Sequence, residues 1–258
     1  HPEHRVAQGR VGEGAAMRHR VHVRDLGGMR YAEAWALQEE LFGAMVQRKI
    51  ARKRSGLGEC EASGDPELAL PEGHMLYVEH PHVVTLGKSG KEAHLVASPE
   101  QLERLGVDYF PINRGGDITY HGPGQLVGYP LLDLDQIFTD IGKYMRTLEE
   151  AIIRTCADYG LVTSRIDGLT GVWLDADRGM QARKIAALGV KSSRWVTMHG
   201  FAFNVATDLA FFDLIVPCGI VGRGVTSLER ELGRPVPLEE VRERVHGHLR
   251  SLFDWEEV

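Results

Sequence analysis

Cysteine is scarce in this chain. Its 258 residues hold three, Cys60, Cys156 and Cys218, and no two are spaced as a CxxC pair. That excludes a disulfide-stapled framework and the usual cysteine zinc motifs, and it makes a reducing compartment, the cytoplasm, the expected location. A run of about 18 apolar residues is also missing, so no segment reads as a membrane span. The polar opening, HPEHRVAQGRVGEGAA, has no apolar stretch of the kind a secretory signal needs. Residues 1–16 read as a tag or N-terminal extension, with Met17 the expected start. Basic excess is absent: Lys plus Arg is 30 against 36 for Asp plus Glu, a net charge of −6. A general nucleic-acid binder would need a strongly basic face, so that class is disfavoured. Among the 12 histidines, the pairs His80/His82 and His246/His248 have no convincing third ligand, and there is no HExxH. No metal is expected.

What is present is a globular composition, 43% hydrophobic and 26% charged, in a chain long enough to bury a sizeable core unaided. Residues 31–51 put Ala34, Leu37, Leu41 and Met45 on one helical face, with Trp35 and Phe42 beside it, and the basic run Arg52, Lys53, Arg54 ends the helix. The Gly-, Ser- and Pro-rich residues 55–73 read as a mobile surface excursion carrying an exposed Cys60. From His74 the texture turns to short β-type runs: HMLYVEH, HVVTLGK, VDYFPI and QLVGYPLLDL, then LVTSRI, GVWLD, KIAALGV and WVTMHGFAFNV. A helix at about 141–159 stacks Met145, Leu148, Ile152 and Cys156, which makes Cys156 a core residue. An amphipathic helix closes the chain at 238–253. Strands clustered mid-chain with irregular helices around them predict an α+β fold: one domain, 17–258, with a mixed sheet flanked by helices.

Three segments suggest chemistry. Arg114 to Gln125 packs four glycines, an Arg and a His into twelve residues between apolar runs. It reads either as a ligand-cradling loop, where glycine lets backbone N–H groups approach a ligand, or as a tight hairpin. Lys184 opens an apolar strand, as an edge charge or as an activating cation. Cys218 sits between Pro217 and Gly219, where a turn can present its thiol to a cleft, although burial as a small apolar residue is the alternative. A free thiol, with pKa about 8.5, is mostly protonated at neutral pH, and an adjacent ammonium favours the thiolate. A lysine and a cysteine are thus a workable nucleophile and activator. His121 and His199 read as polar walls of a site or as satisfied core imidazoles.

Together, LYVEHPHVVTLGKSG (76–90), RGGDITYHGPGQLVGYPLLDL (114–134), KIAALGVK (184–191), HGFAFNV (199–205) and PCGI (217–220) resemble the lipoyl(octanoyl) transferase family. The likeness runs from Met17 to the C-terminus apart from 55–73, and its RGG–TYH–GPGQ segment is specific. It implies the α+β catalytic core shared with biotin and lipoate protein ligases. It also implies transfer of octanoyl from octanoyl-acyl carrier protein to a lysine of lipoyl domains, the first step of protein lipoylation. By resemblance, Cys218 is the acyl-thioester nucleophile and Lys184 the lysine that lowers its pKa. Arg114, Gly115, Gly116, Asp117, Ile118, Thr119, Tyr120 and His121, then Ala187, Leu188 and Gly189, then Gly200, Phe201 and Ala202, line the acyl pocket.

No cofactor is expected, because the donor acyl group arrives on the carrier protein's phosphopantetheine. The expected partners are octanoyl-acyl carrier protein, lipoyl domains of 2-oxoacid dehydrogenase complexes and the glycine cleavage H protein, with neither nucleic acid nor membrane, and a monomeric enzyme. Backbone N–H groups near Leu188 and Gly189 are candidates for the oxyanion, Lys184 for the base that receives the acceptor proton, and His121 for its reserve. Basic residues at 48–54 or 183–194 are candidates for steering acidic partners. The rivals are an ATP-dependent lipoate or octanoate ligase on the same fold, which has no need of Cys218, a non-catalytic paralogue that binds lipoyl domains, and a thiol hydrolase, for which no Cys–His–Asn signature appears.

Overall fold

The computed structural model describes residues 17–216 and 223–258, so the reading of 1–16 lies outside the described residues. Along the chain, β1 (Arg20–Gly28) leads into the long helix α1 (Tyr31–Arg54). Then come β2 (Gly73–Glu79), β3 (Val83–Leu86), α2 (Pro99–Leu105), β4 (Asp108–Pro111), β5 (Ile118–His121) and β6 (Gln125–Leu131). After α3 (Ile141–Asp158) follow β7 (Ser164–Ile166), β8 (Leu169–Leu174), β9 (Arg183–Ser193) and β10 (Val196–Asn204). The last elements are β11 (Gly224–Val225), α4 (Leu228–Leu232), α5 (Leu238–Phe253) and β12 (Glu256–Glu257).

Nine strands form the main sheet in the order β12-β1-β2-β6-β10-β9-β8-β7, with β11 against β9, and β4-β3-β5 form a second, three-stranded sheet. Parallel pairs (β1 with β2, β1 with β12) mix with antiparallel ones from β2 through β8. The fold is therefore α+β with a mixed sheet flanked by helices, as the sequence implied. Alternation along each strand divides the core. Met75, Tyr77, Leu126, Phe201 and Phe203 face α3 and α5, while Leu76, Val78, Val127, Tyr129, Met198 and Ala202 face α1. The small sheet has its own cluster, built on Val84, Ile118 and Tyr120 with Leu214 and Ile215.

The helix boundaries follow the sequence reading, but two helix faces do not. In α1 the buried positions are Tyr31, Ala34, Gln38, Phe42, Met45, Lys49 and Arg52, and Leu37 and Leu41 are only half-buried. Polar residues take the centre of that face because each meets a built partner. Lys49, for instance, lies 2.5 Å from both Asp133 and Asp135. In α3, Tyr144 rather than Met145 is buried beside Leu148, Ile152 and Cys156. The helix starts at Asp140, whose carboxylate accepts the Lys143 N–H at 2.9 Å. Six elements had no counterpart in the sequence reading: β1, α2, β5 (read as part of the Arg114–Gln125 loop), β11, α4 and β12. The HVVTLGK and VDYFPI runs build the small sheet instead of extending the large one.

Most of residues 55–70 lie at the surface, with a 3₁₀ turn at Pro66–Leu68, whereas Pro71 is buried and Gly73 already opens β2. Buried Arg52 ties the stretch to the end of α1, donating to the carbonyls of Leu68, Gly58 and Glu61. Cys60 is exposed, and its Sγ lies 3.1 Å from the Asp135 carbonyl. Among the described residues no helix is long and apolar enough to cross a membrane.

Candidate active site

The N-terminal end of α1, the loop into β5, and the strands β6, β9 and β10 line a narrow cleft. Its walls come from Tyr31, Arg114, Thr119, His121, Tyr129, Ala187, Leu188, Gly189, His199, Gly200, Phe201 and Ala202. Residues from each of the three stretches that the resemblance gave as pocket lining, 114–121, 187–189 and 200–202, therefore meet there. Register explains the meeting of the last two: β9 and β10 form a hairpin in which Gly189 opposes Gly200, Leu188 opposes Phe201 and Ala187 opposes Ala202.

Not every residue of the first segment faces the cleft. The Gly115 N–H donates to the Val190 carbonyl at 3.0 Å, and the carbonyls of Gly116 and Asp117 accept from the N–H groups of Ser89 (3.2 Å) and Gly87 (2.9 Å). Ile118 packs in the small-sheet core, and the Tyr120 hydroxyl pairs with His82 Nδ1 at 2.6 Å. These residues seat the loop rather than line the cleft. Gly189 is required by this docking, since a Cβ there would stand 2.6 Å from the Gly115 carbonyl oxygen. Arg114 holds the loop from within. Its buried guanidinium donates to Gly115 O (2.8 Å), Thr85 Oγ1 (3.1 Å) and Asp117 O (2.9 Å), and its Nε has no partner among the described residues. Burial lowers its pKa.

The cleft histidines are neutral bases of low strength. Gln125 Nε2 donates to Tyr120 O and Asn204 Oδ1, so its Oε1 is free to accept His121 Nδ1–H at 2.7 Å. Burial, with His80 nearby, lowers the His121 pKa to about 3. Burial, assisted by the charges of Arg114 and Lys191, brings His199 likewise to about 3. Tyr31 stacks on His121 with ring centroids 6.1 Å apart. The Tyr129 hydroxyl donates to His80 Nε2 (2.7 Å), and His80 Nδ1–H donates to the Met29 carbonyl (2.8 Å). Tyr31 and Tyr129 are site residues that sequence reasoning missed. An aromatic ring on a helix face or in an apolar strand reads as core, and only the polar hydroxyl within QLVGYPLL hinted otherwise.

Lys184, on β9, is half-buried with its Nζ 5.0 Å from the Trp173 ring centroid. Its stem lies against Gly171, where a Cβ would stand 3.2 Å from Lys184 Cε. Loss of hydration lowers its pKa to about 8. Its carbonyl accepts the Thr226 N–H at 2.9 Å, and Val225 is its register partner on β11. Cys218 lies outside the described residues. The described chain stops at Val216, whose N–H donates to the His94 carbonyl at 2.8 Å, and resumes at Arg223.

Bonds from Gly115 N–H to Val190 O and from Thr226 N–H to Lys184 O mark the even-numbered residues of β9 as the ones facing away from β10. Strand alternation then directs the Leu188 N–H to that outer edge and the Gly189 N–H into the β10 ladder. Of the two oxyanion candidates, Leu188 is the one whose N–H faces away from β10. Among the described residues no group of three or more His, Cys, Asp or Glu is placed to hold a metal ion. His82 is paired to Tyr120, His246 to Tyr77 at 2.7 Å and His248 to Asp158 at 2.8 Å.

Residues 30–250 match the family model described as the lipoyl protein ligase A/B catalytic domain. The octanoyltransferase of Cytophaga hutchinsonii is 53% identical over 91% of this chain and 93% of its own. That of Flavobacterium johnsoniae is 52% identical over 94% of this chain and 100% of its own. Among solved structures, the bipartite lipoate protein ligase of Thermoplasma acidophilum, determined with its E2 lipoyl domain, superposes with a TM-score of 0.59 at 18% identity, covering 94% of this chain and 88% of that one. A lipoate-protein ligase A bound with ATP also gives 0.59, at 17% identity, over 94% of this chain and 90% of that one. These two likenesses bear on the fold.

Proposed function

The chain belongs to the lipoyl protein ligase A/B catalytic-domain family, and within it we propose an octanoyltransferase that moves octanoyl from octanoyl-acyl carrier protein to a lysine of lipoyl domains through a thioester on Cys218. The reading is carried by one juxtaposition. A cleft walled by Ala187, Leu188, Gly200, Phe201 and Ala202 opens from the strand that also carries Lys184, whose pKa is lowered to about 8. Half-identity to octanoyltransferases over nearly the whole chain supports it. The two ligase structures named above are below 20% identical and speak for the shared fold alone.

In the first step the Cys218 thiolate attacks the donor thioester carbonyl. A C–S bond to the enzyme forms, the C–S bond to the carrier breaks, and Lys184 as ammonium gives its proton to the departing carrier thiolate. No ATP is needed, because one thioester replaces another. Lys184 is then neutral. In the second step the neutral amine of the acceptor lysine forms the C–N bond, the C–S bond to Cys218 breaks, and an amine proton passes to Lys184, which restores the thiolate–ammonium pair. A lysine with pKa near 8 suits both roles, whereas His121, at about 3, is a poor base for an amine. The Leu188 N–H is our candidate donor to the oxyanion. The apolar walls suit the alkyl chain, worth ~0.8 kcal/mol per buried CH₂.

Arg114 to His121, Ala187 to Gly189 and Gly200 to Ala202 form the acyl pocket in this proposal, with the loop residues behind Arg114 acting as its frame. The reaction uses no cofactor, and the enzyme is a cytoplasmic monomer. Its acceptors are the lipoyl domains of 2-oxoacid dehydrogenase complexes and the glycine cleavage H protein. Steering of acidic partners falls to fewer cations than the sequence offered. Lys49 and Arg52 are buried and bonded, Arg48 donates to the Pro66 carbonyl, Lys184 is half-buried, Lys191 lies over the Phe42 ring and Arg183 is engaged by Asp175 and Glu231, which leaves Lys53, Arg54 and Arg194 exposed. Intact-protein mass spectrometry after mixing with octanoyl-acyl carrier protein tests the proposal. The expected result is one added octanoyl group, removed by hydroxylamine and absent in Cys218→Ala. A folded sample with no added mass overturns the covalent route.

A further inference from the structure

His199 has a backbone φ of +60°, the left-handed region that a histidine seldom occupies. Strand alternation would send residue 199 to the α3 and α5 face with Phe201 and Phe203. Instead its ring meets Asn113 on the α1 side, at 2.8 Å from Nε2 to Oδ1, and its N–H donates to Gln38 Oε1 on α1, also at 2.8 Å. Strain of this kind persists where the surroundings over-determine it, characteristically at functional sites.

The surroundings also fix the tautomer. Trp35 Nε1–H (3.1 Å) and Asn113 Nδ2–H (2.9 Å) both donate to Glu39 Oε1. The Asn113 amide is thereby oriented with its oxygen toward His199, so the proton sits on His199 Nε2 and Nδ1 is a bare acceptor. That nitrogen has no hydrogen-bond partner among the described residues, on a side chain only 1% exposed and lining the cleft. A buried acceptor left unpaired is costly, so it marks where a donor is expected. An octanoyl chain has no N–H or O–H to offer. The acceptor lysine does.

We propose that His199 Nδ1 binds substrate by accepting an N–H of the incoming lysine amine, and that Asn113 and Glu39 are positioning residues that hold His199 in the required tautomer. The inference rests on the octanoyl-transfer reading above and adds a residue to its second step. With its pKa held down by burial, the ring accepts this hydrogen bond without taking the proton, which goes to Lys184.

The test is the single-turnover rate of each half-reaction in the full-length protein: enzyme acylation by octanoyl-acyl carrier protein, then transfer to a lipoyl domain. His199→Phe should lower the ratio of transfer to acylation about ten- to hundredfold. Glu39→Gln, which lets the Asn113 amide turn over, should lower the ratio in the same sense and keeps the test open if His199→Phe does not fold. In ¹⁵N-labelled wild type, His199 should show a protonated Nε2 and an unprotonated Nδ1, and the Nδ1 resonance should move when n-butylamine is added to the octanoyl-enzyme. A protonated Nδ1, an unchanged ratio in both variants, or a loss confined to acylation overturns the proposal. An unchanged ratio assigns Nδ1 to ordered water, and a loss confined to acylation assigns it to the donor. A wild type that never gains octanoyl sinks the functional reading itself, while its ¹⁵N spectrum still reports the tautomer.

Discussion

An ammonium wedged between Trp173 and Gly171 loses part of its hydration, and Lys184 accordingly releases its proton near pH 8, well below an exposed lysine. Because the proposed transfer step needs the neutral amine, its single-turnover rate should climb with pH through about 8 and level off above it. Lys184→Arg keeps a cation but supplies no base, and it should remove the climb along with most of the transfer rate. A transfer rate in the wild type that ignores pH across that window would show that Lys184 is not the base. At this scale the sequence pointed to the cleft where a Gly-rich stretch carries an Arg and a His between apolar runs, and Arg114 and His121 both line it. It was silent on Tyr31 and Tyr129, whose rings match the pattern of ordinary core residues. It was silent too on Gln38, because a polar residue at the centre of a buried helix face becomes sensible only when its partner, the His199 N–H, is placed by a strand far along the chain.

Strand β10 supplies one wall of the cleft, and its fit to β6 leaves no room for a side chain at the crossing. A Cβ at Gly128 would fall 2.2 Å from Phe201 Cζ, and the register that pairs Gly128 with Phe201 fixes both backbones. Gly128→Ala must therefore push the Phe201 ring, a cleft wall, or strain the ladder. Overpacking of this kind is worth about 1–3 kcal/mol, so the melting temperature should fall by a few degrees. Calorimetry that finds the variant as stable as the parent would show that the ring moves aside freely. Elements themselves were largely legible. The closing helix and the β9–β10 hairpin carry strong periodicity or long apolar runs, and both form where the pattern put them. Strand β1 was missed because Val21 and Val23 are its only β-branched residues before a Gly-Gly end, and its pairing is set by β2 and β12 rather than by its own composition. The division into two sheets was not legible either, since HVVTLGK has the same texture as the strands of the main sheet.

Across the whole molecule, the α1 layer is fastened to the sheet on one side of the cleft by charge as well as by apolar contact. Lys49 reaches from α1 to Asp133 and Asp135, 2.5 Å from each, and the Asp133 side chain is fully buried, with Gln136 Nε2 at 2.8 Å as a further donor. Burial alone would lower the Lys49 pKa, but its hydrogen bonds to the two carboxylates outweigh that and raise it. A raised folded-state value means that this stabilisation is fully present below the unfolded pKa of about 10.4 and fades only as pH rises through the folded one, so it holds throughout the neutral range. Lys49→Met would leave the Asp133 carboxylate buried with Gln136 as its remaining side-chain donor, and breaking a buried pair in this way typically costs about 3–5 kcal/mol. The loss should appear as a lower denaturant midpoint with an unchanged slope. Combining Lys49→Met with Asp133→Leu should recover part of it, because the second change removes the stranded charge. If instead the double variant is less stable than Lys49→Met alone, the carboxylate is held by the rest of its surroundings, and α1 owes its seat on the sheet to the apolar contacts of Ala34, Phe42 and Met45.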